Sequence, residues 1–334
     1  MGSLEATIDA VAEDAGFSGV VRVDRSGITD LEKAYGLADR ANGIPNVPDT
    51  MFAIASGSKT FTALAVMSLV EDGTLALDTT ARSLLGDDLP LVADDVTVEH
   101  LLAHRSGIGD YLDEETVDDI NHHVMPVSVH ELATTEGFLP LLAGHETVSP
   151  AGERFAYNNG GYVVLALIAE RASGVGYHEL VRERVTDPAG MADTAFLRSD
   201  ELPGRAARGY LTVDGPRTNV FHLPVLGTGD GGAYSTAADL SEFWNALFAG
   251  RIVGPDTVAE MVRPRSDWPE ESERYGLGFH LHETSDVVWL EGYDAGVSFR
   301  STYDPLSATT STVIANWSDG AWPLIELLDE RLPT

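Results

Sequence analysis

Residues 51–63, MFAIASGSKTFTA, open a segment with helical spacing. Phe61, Leu64, Met67 and Val70 recur every three residues, Phe61, Ala65 and Leu69 every four, and Gly73 lies just past the end. The spacing predicts a helix over Ser58 to Glu71 with Ser56 at its start. Ser56 and Lys59 are three residues apart, which puts both on one helix face. Lys59 is also one of only two lysines in the chain, the other being Lys33. Arginine stays protonated, whereas a desolvated lysine loses its proton and becomes a base. A serine hydroxyl is a weak nucleophile until a neighbouring base takes that proton. Ala55 and Phe61 supply apolar surroundings, and a helix start aims N–H groups at a developing oxyanion. Ser-x-x-Lys is short enough to arise by chance on a surface helix, so its weight depends on the rest of the chain.

Composition narrows what that chain can be. With 334 residues, 43% of them hydrophobic, it can bury a large core in one or two domains. The formal charge of -32 repels nucleic acid and anionic membrane surfaces, so neither is an expected partner. Such acidity suits a protein kept soluble at high salt, while a GC-rich genome would by itself explain arginine in place of lysine. No cysteine is present, which excludes thiol catalysis, disulfides and thiolate metal sites. Met1 to Ala15 carries Glu5, Asp9, Glu13 and Asp14 rather than a basic start and an apolar run, so a cytoplasmic location is expected, or a secreted one if a leader has been removed.

The two ends read as strands and the middle as helices. Phe17 to Val23 and Leu31 to Leu37 form a hairpin about a turn starting at Asp24, Arg25, Ser26 and Gly27. Tyr275 to His282, Asp286 to Leu290, Val297 to Tyr303 and Thr310 to Trp317 are further strands, and Trp322 to Leu332 a closing helix. Between them, Val98 to Ala103, Val129 to Thr135, Tyr162 to Ser173, Tyr177 to Val185, Ala237 to Phe248 and Pro255 to Val262 read as helices. The expected fold is α+β: one antiparallel sheet built from both chain ends and flanked by helices, beside an all-helical subdomain. The α/β part takes residues 5–60 and 222–334, the helical part 61–221, within one catalytic unit.

A second constellation is Phe155-Ala156-Tyr157-Asn158-Asn159-Gly160-Gly161-Tyr162. Tyr157 can pass a proton between nucleophile and leaving group, and Asn159 can donate to a carbonyl while accepting from a lysine; a turn with a packed tyrosine gives the same string. Together with the first segment, it resembles the serine β-lactamase and penicillin-binding family, specifically the class C-like branch with DD-peptidases and β-lactamase-like esterases. Leu101 to Ile108 (LLAHRSGI), Pro188 to Thr194 (PAGMADT), Gly231 to Asp239 and Tyr275 to Gly278 (YGLG) extend the likeness over nearly the whole chain. The resemblance implies that Ser56 is the acylated nucleophile and Lys59 its base. It further implies that Tyr157 is the proton relay and Asn159 positions Lys59 and substrate. The family's Lys- or His-containing strand element falls, counting back from Gly296-Val297-Ser298, on Leu290-Glu291-Gly292, where the basic residue is missing. A substrate carboxylate would lose its usual partner there, and Glu291 would repel it if turned to the cleft. Trp289 beside Leu290 would suit an apolar acyl or alcohol group, and the N–H of Tyr293 would join that of Ser56 as the oxyanion hole.

Other candidates carry less. His122, His123 and His130 fit no common metal-ligand spacing, and His100 and His104, four apart, lack the glutamate of a zinc-protease motif. His104 is expected to be structural. No Gly-x-Ser-x-Gly elbow anchors a Ser-His-Asp triad, and no metal or other cofactor is expected. Asn316-Trp317-Ser318 is a glycosylation pattern that carries no weight without a secretion signal. The reading is a serine hydrolase acting on small esters or amides. A true β-lactamase or D-stereospecific peptidase is the alternative, and a non-catalytic sensor that kept the fold is the alternative of another class. Specificity is expected to lie in the loops Tyr111 to Phe138 and Pro264 to Glu273.

Overall fold

The computed structural model describes residues 3–114, 117–268 and 271–332. Its centre is an eight-stranded sheet in which every neighbouring pair is antiparallel. The order is Ile28–Tyr35, Gly19–Arg25, Thr309–Ala315, Val297–Asp304, Val288–Asp294, His280–His282, Glu273–Tyr275, Ser266–Trp268. The first two strands and the last therefore lie side by side, as the strand-rich chain ends predict. Both faces are covered, which is why FSGVVRV reads as nearly continuous apolar sequence. Val21, Val23, Val313 and Ala315 pack against Ile8, Leu324 and Leu328 of the helices Leu4–Asp14 and Trp322–Arg331. Val20, Ile314, Phe299 and Leu290 turn the other way, toward Phe61, Phe243 and Trp244.

The hairpin turn is tighter than expected. Asp24 and Arg25 stay in the strand, and only Ser26 and Gly27 turn, both at positive φ. Asp24 is held because its buried carboxylate takes bonds from Arg22 and Ser241. Tyr275 to His282 is likewise two short strands, interrupted where Gly278 at φ +83° passes over Ala63 and its carbonyl accepts from Thr60. Val129 to Thr135 supplies only 3-10 turns, Val129–Glu131 and Thr135–Phe138.

Two helices packed against each other carry the candidate chemistry. Ser58–Glu71 is buried on all sides from Ser58 to Leu69, which accounts for the simultaneous three- and four-residue spacing. Each fully buried Leu or Phe in it contributes roughly 1.5–3 kcal/mol. Its threonines find carbonyls, Thr60 at Gly278 and Thr62 at Gly229. The second helix, Asn159–Ser173, begins three residues earlier than Tyr162 because the Asn158 side chain caps it, accepting from Gly161 N–H.

Candidate active site

Ser56 sits in the 3-10 turn Ala55–Gly57 that leads into the helix Ser58–Glu71. Ala55 adopts φ +43°, a left-handed conformation unfavourable for a residue with a Cβ. Ser58 fixes the turn: its hydroxyl donates to Ala55 O and accepts from Ala233 N–H.

Lys59 is 2% exposed and its Nζ makes three bonds, donating to Ser56 Oγ (2.8 Å), Asn159 Oδ1 (2.7 Å) and the main-chain oxygen of Asp230 (2.8 Å). An ammonium has three protons, so every one is placed. Burial lowers the Lys59 pKa from a lysine's ordinary value, against the pull of Asp230, Glu114, Asp110 and Asp294. The amide of Asn159 is oriented from behind, its Nδ2 donating to Leu112 O (3.0 Å) and Glu114 Oε1 (2.9 Å). Asp110 caps the same helix, accepting from the N–H groups of Asn159 and Gly160, while burial holds its carboxyl up at about 6.

Tyr157 lies on the other side of the nucleophile. Its ring centroid is 4.9 Å from Lys59 Nζ, its face stacks on Trp268, and its hydroxyl interacts with Ser56. Burial and nearby Glu114 push the phenol well above its ordinary pKa, so it is a proton-bearing group. His104 holds Tyr157 in place. Its main-chain oxygen accepts from Ala156 N–H, its Nδ1 accepts from Asn158 N–H, and its ring packs against Tyr157, Tyr162 and Tyr275. Burial, then the charges of Lys59 and His280, keep His104 neutral, well below a histidine's usual pKa. It turns away from His100 because the helix Val98–Leu102 ends first and His104 itself has φ +53°. Among the described residues no three His, Asp or Glu side chains converge as metal ligands.

The strand Val288–Asp294 is paired along one side with Val297–Asp304, but on the other only Val288 and Trp289 are paired. The remainder of that edge runs past the Ser56 turn. A Cβ on Gly292 would overlap Ile54 O and come within 3.0 Å of Ser56 N, so only glycine permits this approach.

The substrate-binding expectations for the neighbouring residues require correction. Leu290 is 1% exposed and belongs to the core, and Glu291 faces away, paired with Arg300, which also meets Asp329. Trp289 is buried between His280 and Arg300. The pleat explains this: Leu290 and Gly292 share the face toward the Ser56 turn, where Leu290 is already covered, and Trp289 and Glu291 share the other. Trp289, Leu290, Glu291 and Gly292 do not line the cavity, whereas Tyr293 does.

That cavity, about 520 Å³, opens beside Ser56 and Asn159. Its walls include Tyr111, Glu114, Asp230, Tyr293, Asp294 and Asp319. Asp230 accepts from the Tyr111 hydroxyl and, among the described residues, makes no side-chain ion pair; burial raises its pKa, and burial lifts Asp294 to about 7. Sequence reading missed these acids. Asp110 and Tyr111 follow the LLAHRSGI segment after Gly109, and Asp230 sits between two glycines, which were the available signals. Glu115, Thr116, Pro269 and Glu270, within the two loops expected to set specificity, lie outside the described residues.

The Beta-lactamase family profile matches residues 4–327. The chain is similar to esterase EstB of Burkholderia gladioli, 30% identical over 341 residues covering 92% of this chain and 82% of that one. It is 28% identical over 274 residues to PbpX of Bacillus subtilis, covering 80% of this chain but spanning only 63% of that protein's length. The structure matches a penicillin binding protein from Bacillus halodurans with a TM-score of 0.91 at 36% identity, covering 97% of this chain and 100% of that one. Among the described residues no helix is long and apolar enough to cross a membrane.

Proposed function

Because the chain belongs to the Beta-lactamase family, serine hydrolases that include esterases and amidases, we propose that it hydrolyses small esters or amides through an acyl-enzyme on Ser56. The observation that carries this is the buried Lys59 amine 2.8 Å from Ser56 Oγ, fixed by Asn159 and Asp230 O. A sensor that is acylated without turnover would use the same pair, so turnover of an ester by the labelled enzyme separates the two readings.

In this reading the Lys59 ammonium first loses one of its three protons to solvent, which its burial favours, so that the Ser56 hydroxyl donates to the amine, and Lys59 then takes the Ser56 proton as Oγ bonds to the substrate's carbonyl carbon. The N–H groups of Ser56 and Tyr293 receive the oxyanion. Tyr157, kept protonated, donates to the departing alcohol or amine and is reprotonated from Lys59 as the C–O or C–N bond breaks. Water then adds to the acyl carbon, giving its proton to Lys59 and on to Ser56 Oγ as the carboxylic acid leaves.

Esters and small amides are preferred to β-lactams because, among the described residues, no Lys or Arg lines the cavity to meet a substrate carboxylate, while Glu114, Asp230, Asp294 and Asp319 do line it. The test is intact-mass measurement after a neutral fluorophosphonate, on wild type and Ser56→Ala, beside turnover of p-nitrophenyl butyrate and nitrocefin. One adduct on the wild type, none on the variant, and faster ester than nitrocefin turnover are expected. An unlabelled wild type or a labelled variant refutes the nucleophile, and faster nitrocefin turnover refutes the substrate class.

A further inference from the structure

Tyr157 and Asn159 sit in one short run of chain, and the loop that follows the helix Val98–Leu102 clamps it. The N–H groups of Ala156 and Asn158 go to His104 O (2.8 Å) and His104 Nδ1 (3.0 Å), and those of Asn159 and Gly160 to the two carboxylate oxygens of Asp110 (2.6 and 2.8 Å). Asn158 Nδ2 adds a bond to Ile108 O (2.9 Å), and Leu112 O takes one from Asn159 Nδ2. Within this clamp His104 alone grips both sides of Tyr157, through the residue before it and the residue after it. Its ring centroid also lies 4.3 Å from that of Tyr157.

Packing does not account for a histidine at this place. Nδ1 accepts from Asn158 N–H, so the imidazole proton is on Nε2. Among the described residues the buried Nε2 has no partner, and an unpaired buried donor costs about 1–3 kcal/mol. A phenylalanine would fill the space against Tyr157, Tyr162 and Tyr275 without that cost. What it would lack is the acceptor for Asn158 N–H. A second proton on the ring would turn Nδ1 into a donor facing that N–H and open the clamp; burial and the Lys59 charge keep it off. The backbone makes a related demand, since His104 has φ +53°, a region that histidine and asparagine enter more readily than most residues.

We propose that His104 is the positioning residue for the leaving-group proton: it sets the Tyr157 hydroxyl against the departing atom, and so decides which leaving groups the enzyme can expel without altering the attack by Ser56. This rests on the acyl-enzyme reading, with Ser56 as nucleophile and Tyr157 as donor. As the C–O or C–N bond breaks, its electron pair goes to the leaving atom, Tyr157 Oη gives that atom a proton, and Lys59 returns one to Oη. His104 exchanges no proton. Its effect is geometric, because a donor must stand about 2.6–3.2 Å from the atom it protonates, and a misplacement of about 1 Å costs about 10²-fold in rate.

Two butyrate esters separate positioning from folding. p-Nitrophenolate leaves as a stable anion and needs no proton, whereas benzyl alkoxide must be protonated as it leaves. His104→Asn tolerates the left-handed backbone and puts an oxygen near the place of Nδ1, but removes the ring beside Tyr157. It is expected to raise the ratio of p-nitrophenyl to benzyl butyrate kcat/KM by about 10²-fold, with neutral fluorophosphonate labelling of Ser56 near the wild-type rate. His104→Phe keeps a ring and removes the acceptor; it is the second variant should the first fold poorly, and should move the ratio the same way. Tyr157→Phe is expected to raise the ratio too, and adding His104→Asn to it should raise it no further, because the two residues act through one another. An unchanged ratio in both His104 variants, a loss shared equally by the two esters and by labelling, or a further rise in the double variant overturns the inference. If Tyr157→Phe raises the ratio and the His104 variants do not, the positioning role alone falls. An unlabelled wild type defeats the nucleophile, and an unchanged ratio in Tyr157→Phe defeats the relay, each taking the inference with it.

Discussion

Gly292→Ala is the sharpest probe of how the site is assembled. The added methyl points at Ile54 O, at a separation no real Cβ sustains, and lies 3.0 Å from Ser56 N and from the Ile54 carbonyl carbon. All three atoms are main chain, so no side chain can swing aside. Either the strand Val288–Asp294 or the Ser56 turn must give by about 1 Å, and a displacement of that size at a reacting centre costs about 10²-fold in rate. That is about 2.7 kcal/mol of transition-state stabilisation, lost as the Ser56 and Tyr293 N–H groups spread apart. Ester kcat/KM and the fluorophosphonate labelling rate should fall together. Gly204→Ala is the control, since a Cβ there meets nothing within 4 Å. If Gly292→Ala labels and turns over within about twofold of wild type, the close approach has no bearing on chemistry and the oxyanion assignment falls.

Three further outcomes follow from the same geometry. Tyr157→Phe keeps the ring against His104 and Trp268 but removes the proton, and kcat should fall by about 10²–10⁴-fold with little change in melting temperature; kcat near wild type would exclude the relay. Leu290→Lys should not create nitrocefin turnover, because that side chain is in the core; it should destabilise by about 3 kcal/mol or more in urea titrations. Asp294→Asn should stabilise the fold at pH 8 by about 2 kcal/mol, allowing for solvent on its open side. The carboxyl is raised from an ordinary 3.8 to about 7, so the native state holds the extra proton and wild type loses stability as pH climbs through that window. The advantage of the variant should therefore vanish near pH 4, and an advantage independent of pH would refute the cause.

The residues with a local signature were legible in the sequence. Ser56 and Lys59 carry their own spacing, and the α+β architecture follows from strand-rich ends around helical periodicity. Asn159 could be named, but not the acceptors Leu112 O and Glu114 that orient its amide, which come from a loop of irregular shape. Leu290 was placed on the correct strand and assigned to the wrong environment. Position along a strand does not say which face is already covered, and here the turn at Ile54 to Ser56 comes so close that the face holding Gly292 has no room for substrate. The acidic cavity was invisible because its members are far apart in sequence, and in a chain with 53 Asp and Glu residues nothing sets these four apart from the others.

The strand Gly19–Arg25 lies between its hairpin partner and Thr309–Ala315, and the strand Val288–Asp294, which carries Tyr293, belongs to the same sheet. A chain still emerging from the ribosome therefore holds Ser56 and Lys59 long before it holds Tyr293, the second of the two proposed oxyanion donors. Such late, non-local pairing makes for slow assembly, with the half-built sheet exposed meanwhile. It also means that catalysis reports on completeness: two fragments divided in the middle of the chain would each carry half of the reaction centre, and ester turnover would appear only when they find each other.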